Sequence, residues 1–112
     1  MASTTLTYYS LSKLVQFMLY FHQMTMILTR ELLAEMLMRY INREIDLSSL
    51  VSYAEDMLRD ADFEDRSFEL IREILANIGL ADVREFGLTW DDCYDYIHKL
   101  GYDVKVEMRK VV

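Results

Sequence analysis

Proline is absent from this 112-residue chain, and glycine occurs only three times. β-Sandwiches, barrels and long irregular loops need more turn chemistry than that, so the scarcity points to a mainly helical fold. A single cysteine, Cys93, excludes a disulfide framework and a cysteine-based zinc site. No glycine-rich phosphate loop and no G-x-S-x-G nucleophile motif is present. Long apolar runs are also missing. The longest stretch without formal charge, Leu14 to Thr29, has 16 residues and is broken by Gln16, His22, Gln23 and Thr25. A spanning helix wants roughly 20 mostly apolar residues, so a membrane segment is not expected. With 53% apolar residues the chain is too hydrophobic to be intrinsically disordered.

The charge that is present is unevenly placed. Residues 1–25 contain one charged side chain, Lys13, whereas all 19 acids lie between Glu31 and Glu107. Residues 26–112 thus carry 11 bases against 19 acids, a net charge of −8. The split predicts two pieces: an apolar N-terminal extension over 1–25 and a single acidic helical domain over 26–112. For the extension three readings stand: a membrane anchor or signal, a helix packed on the domain, or a misassigned start. Met24 and Met26 are both credible starts, and Met26-Ile-Leu-Thr-Arg-Glu runs straight into a capped helix, which favours the third. The acidic domain should repel nucleic acid, because binding phosphate requires a basic footprint. It should attract a basic protein by long-range steering.

Within 26–112 the apolar period is that of helices. Thr29 can cap a helix over 30–43, with Leu32, Leu33, Met36, Leu37, Tyr40 and Ile41 on one face. Asp46 can cap a second helix over 47–60, and the short link predicts an antiparallel hairpin. Residues 60–67 read as an acidic loop anchored by Phe63. A third helix is predicted over 66–78, stopped by Gly79 in the left-handed position. Residues 80–88 connect, with Val83, Phe86 and Leu88 expected inside. Thr89-Trp-Asp-Asp is a capping box opening a fourth helix over 90–100, with Trp90, Cys93, Ile97 and Leu100 inward. Gly101 closes it. Tyr102, Val104, Val106 and Met108 then alternate with charged residues, which predicts a half-buried strand over 102–108. That strand needs a partner: residues 82–88, another subunit or another protein. The expected fold is therefore mainly α, a small bundle of four to five helices with a short C-terminal β-strand.

Candidate chemistry is sparse. A calcium loop starting at Asp60 would need glycine at 65 and glutamate at 71, where the chain has Asp65 and Ile71. Asp91, Asp92 and Asp95 lie on the fourth helix, and Asp91 and Asp92 are in its first turn, where acids are stabilising in any case. Cys93 and His98 are five apart and do not share a helical face. His22 and His98 lack further ligands nearby. These readings give no catalytic residue, no metal site and no cofactor, and a non-enzymatic, cytoplasmic, protein-binding domain is expected. From Glu55 to Glu73 there are eight acids and three bases. The candidate partner surface is accordingly Asp56, Asp60, Asp62, Glu64 and Asp65. Tyr94 is the candidate aromatic anchor, because Tyr94 and Tyr96 cannot both face inward with Cys93 and Ile97.

The residues Leu28-Thr-Arg-Glu-Leu-Leu, then Tyr40-Ile-Asn-Arg-Glu-Ile-Asp-Leu-Ser-Ser-Leu and Ala54-Glu-Asp, resemble small acidic bacterial immunity proteins of the colicin D and contact-dependent-inhibition type. The resemblance covers about residues 28–78. It implies occlusion of a basic nuclease or similar toxin. Thr89 through Gly101-Tyr-Asp-Val-Lys-Val-Glu departs from that pattern and looks like the helix–Leu-Gly–strand tail of some antitoxin-type transcription regulators. The DNA-binding helix-turn-helix of those regulators is not evident, and no functional residue is carried over from either family. A homo-oligomer assembled through 102–108 is the alternative expectation.

Overall fold

A computed structural model describes residues 26–85 and 87–112. The expectations for 1–25 and for Phe86 lie outside the described residues. Four α-helices and one two-stranded sheet are found there: β1 (Ile27–Leu28), α1 (Arg30–Ile41), α2 (Leu47–Asp60), β2 (Asp62–Phe63), α3 (Phe68–Gly79) and α4 (Trp90–Lys99). Single 3-10 turns at Asp65–Ser67 and Ala81–Val83 flank α3. The protein is thus a small, mainly helical bundle with a short sheet.

Local side-chain chemistry starts three of the helices. The Thr29 hydroxyl accepts from the Leu32 amide at 3.2 Å, and the Asp46 carboxylate accepts from the Ser49 amide at 2.8 Å. The capping box at α4 is complete: the Asp92 amide donates to Thr89 Oγ1 at 3.0 Å, and the Thr89 amide donates to Asp92 Oδ2 at 3.1 Å. Each such cap satisfies amides that the helix itself leaves unpaired.

Two helices end in the same way, with one surprise. After α4, Gly101 has φ +101°, its amide donates to the His98 carbonyl, and the Tyr102 amide donates to the Ile97 carbonyl. After α1, the Arg43 amide donates to the Tyr40 carbonyl and the Glu44 amide to the Arg39 carbonyl. Both are Schellman turns, which need a left-handed residue at their centre. In the first turn of the chain that residue is Arg43, at φ +63°. Helix α1 therefore stops at Ile41 rather than reaching residue 43. Gly79, predicted as a left-handed stop, instead lies inside α3, and Leu80 follows with φ −98°.

One core holds the helices. Leu33, Ala34, Leu37 and Ile41 of α1 are buried with Leu50, Val51 and Ala54 of α2. They meet Ile71, Ile74, Leu75 and Ile78 of α3 and Cys93, Tyr96 and Ile97 of α4. The most extensive helix contact is α2 against α3, and α1 packs chiefly on α4. The expected α1–α2 hairpin is thus a secondary contact. Several residues expected inside lie outside: Leu32, Phe68, Trp90 (49% exposed) and Val83 (78% exposed). Phe68 and Trp90 each open a helix, and Val83 ends a 3-10 turn. At such positions the chain is changing direction, so a helical face does not extend to them.

The strand expected over 102–108 is not formed. Residues 102–112 adopt no regular secondary structure, and only Val104 packs against the core. The intrachain partner expected for it is not paired with it: residues 81–83 are a 3-10 turn, and the described residues among 84–88 form no strand. The sheet lies elsewhere. β1 and β2 run parallel, with Ile27 beside Asp62 and Leu28 beside Phe63. The Asp62 amide donates to the Met26 carbonyl at 2.9 Å, and the Glu64 amide to the Leu28 carbonyl at 3.1 Å. The end of α2 is thereby tied back to the start of α1.

Candidate functional site

The acidic residues singled out in the sequence occupy the last turns of α2, β2 and the 3-10 turn at Asp65–Ser67. They are neighbours in the chain, but they do different work. Arg59 donates from Nη2 to Asp56 at 2.8 Å and from Nε to Asp60 at 3.3 Å. These two acids hold the guanidinium above its ordinary pKa, Asp60 more than Asp56. All three side chains are largely exposed, so the cluster adds little stability. Its consequence is electrostatic: part of the acidity is cancelled on site.

Glu64 is committed to the fold. Its Oε1 accepts from both the backbone amide and the Nε of Arg30, each at 3.0 Å, across 34 residues of sequence. The carboxylate stands at the N-terminus of α1, where the helix dipole favours a negative charge. The hydrogen bond from the Arg30 amide, followed by the Arg30 side chain, lowers its pKa below the ordinary glutamate value. On either side of Glu64 in the chain, the half-buried Phe63, which packs on the core, meets the exposed Phe68 ring at 5.4 Å.

Asp62 and Asp65 are exposed, and among the described residues neither enters an ion pair. With Glu55, Glu69 and Glu73, also exposed, they are the acids of this stretch that no ion pair among the described residues takes up.

Tyr94 is not part of this surface. It is half-buried and lines a cavity of about 590 Å³ between α1, α4 and the C-terminal segment, with Met38, Ile41, Trp90, Val104 and Val106. None of the five candidate acids lines that cavity. Tyr96 takes the inward position beside Cys93 and Ile97. A second cavity, about 520 Å³, adjoins it and is lined by Ala34, Met38, Ile97, Tyr102 and Val104. One mark of this region is legible in the sequence, the alternation over 102–108, but the helix faces that the segment lies against are not.

The remaining reactive groups have structural surroundings. Cys93 is fully buried, and burial, aided by the charge of Asp92, pushes its thiol up to about 12. It is therefore a protonated thiol at neutral pH, and only the thiolate is nucleophilic. Among the described residues no three His, Cys, Asp or Glu side chains are placed to share a metal ion. Among the same residues no helix is long and apolar enough to cross a membrane. No protein-family model, curated protein or solved structure matches this chain.

Proposed function

We propose that the protein is a non-enzymatic binding domain that docks a basic protein on the acidic surface running from the end of α2 to the 3-10 turn. The observation that carries the reading is the exposure of Asp62 and Asp65 without ion pairs among the described residues, in the densest acidic stretch of the chain. A net charge of −5 over Glu55–Glu73 would steer a cationic protein from a distance, and the unpaired carboxylates would meet its lysines or arginines at contact. The buried, protonated Cys93 supports a non-catalytic role. In its most concrete form the activity is that of a cytoplasmic bacterial immunity or antitoxin protein, which neutralises a basic toxin by covering it. The resemblance of residues 28–78 supports that form.

Affinity capture from the native host tests it, with wild type beside a variant carrying Asp60→Asn, Asp62→Asn and Asp65→Asn. A basic protein retained at low salt by the wild type and lost by the variant is the expected result. Identical captured proteins for both would refute the acidic docking surface. Once that protein is in hand, association should slow with salt, because the Debye length is only about 8 Å at physiological ionic strength.

A further inference from the structure

The C-terminal segment leaves α4 at the Gly101 turn with a strand's alternation and, among the described residues, no strand paired with it. Among the described residues the backbone of 103–112 makes no backbone hydrogen bond. Its apolar members are displayed: Val106 is 76% and Met108 95% exposed. Unpaired amides and carbonyls in an alternating segment are a template for another strand. The charged face says which strand. It reads Asp103, Lys105, Glu107, Arg109, strictly alternating in sign.

We propose that this segment pairs antiparallel with the same segment of a second copy, about a two-fold axis at Val106. In that register Val106 faces Val106, Lys105 faces Glu107 and Asp103 faces Arg109, giving four opposite-charge pairs across the ribbon. Directly opposed opposite charges stabilise antiparallel strands, and like charges destabilise them. A shift of the axis to Lys105 or Glu107 sets like charges face to face. Pairings that put an odd-numbered residue opposite an even-numbered one place the charged face against the apolar face. An in-register parallel pair opposes every charge to itself. A parallel pair offset by two matches signs, but it is head-to-tail and propagates instead of closing.

The apolar face is matched as well. Val104 stands opposite Met108 of the second copy, so the exposed methionine is delivered to the mouth of the cavity lined by Met38, Ile41, Trp90 and Tyr94. An isolated two-stranded ribbon is marginal in water, and packing against a helical face supplies what it lacks. The pairing does not involve the acidic docking surface, and either can fail without the other.

Sedimentation equilibrium of the full chain, from low to high micromolar concentration, is the first measurement. A dimer is expected. Lys105→Glu replaces two ion pairs by two repulsive ones and should weaken it by about tenfold or more. Adding Glu107→Lys to Lys105→Glu restores the pairs and should restore the dimer. In a Cys93→Ala background, oxidation should link Val106→Cys to itself. Lys105→Cys should link to Glu107→Cys in a mixture and not to itself. Asp62→Asn with Asp65→Asn should leave the mass unchanged. A monomer at every concentration overturns the proposal, including one in which another segment of the same chain covers 102–108. So does a dimer indifferent to Lys105→Glu, or a Lys105→Cys chain that links to itself as readily as Val106→Cys.

Discussion

Leu28 is the sharpest test of how the start of the domain is held. It sits in a strand of two residues, yet it is 1% exposed, while its neighbour Ile27 is 57% exposed. The strand alternation therefore divides the pair into one core residue and one surface residue. Truncating a buried leucine to alanine removes its transfer free energy and leaves a cavity that the surroundings only partly close, at a cost of about 3 kcal/mol. For a domain of this size that corresponds to a melting temperature lower by about 15 °C. Ile27→Ala, which keeps the same backbone hydrogen bonds, should stay within about 0.5 kcal/mol of wild type. Removing residues 26–29 altogether, relative to a chain starting at Met26, loses Leu28, the Thr29 cap and both hydrogen bonds from Asp62 and Glu64. That loss, about 5 kcal/mol, is on the order of the whole stability of a small domain. Urea and thermal melts followed by circular dichroism measure all three. If Leu28→Ala and Ile27→Ala melt together, the β1–β2 pairing does not seat Leu28 in the core, and the account of how α1 is anchored fails.

Other contacts carry four further outcomes. Arg43→Gly should stabilise the protein by about 1 kcal/mol, because the left-handed backbone at Arg43 penalises a Cβ that glycine lacks; a destabilised variant in a urea melt would show that the Arg43 side chain makes up for the strain. Native Cys93 should resist a thiol reagent at pH 8, and Cys93→Ser should cost about 1–3 kcal/mol by burying a hydroxyl without a partner; fast stoichiometric labelling would contradict its burial. Folding lowers the pKa values of Glu64 and Asp46, so their contribution is complete above the ordinary carboxylate range and is lost as pH falls through the folded values. Glu64→Gln should blunt that acid sensitivity in a pH series of melts. At the alkaline end the sign is reversed: the Cys93 thiol is raised from 9.0 to about 12, so the stability tied to it is intact below pH 9 and lost as pH rises toward 12. Cys93→Ala should flatten the alkaline limb.

Much of the helical framework could be read locally. Thr29, Asp46 and Thr89 mark helix starts because each cap is a contact within three residues. The bounds of α2 at 47 and 60 follow from Asp46 and from the run of Leu50, Val51 and Ala54 on one face. Stops were less legible. A glycine is the usual sign of a left-handed stop, so the sequence points to Gly79, whereas Arg43 takes such a position without any such sign. The β1–β2 pair could not be seen at all. Two residues carry no period, and their pairing is decided by where α2 returns the chain. Alternation over 102–108 is a pattern of the sequence alone: of its apolar members only Val104 packs on the core, and a strand exists only with a partner.

The charges show the same limit more clearly. The count of acids between Glu55 and Glu73 is legible, and it governs steering, since a distant cation responds to the summed field. Which acids can touch a partner is decided by ion pairs that close only in three dimensions. Glu64 reads like Asp62 and Asp65, yet it is bound to the first amide of a helix that begins 34 residues earlier. Asp56 and Asp60 read like free acids, yet one arginine between them takes up both. Substituting Glu64 should therefore act on stability, whereas substituting Asp62 or Asp65 should act on association. Equal effects of all three on association, at unchanged stability, would mean that the Arg30 brace opens when a partner docks.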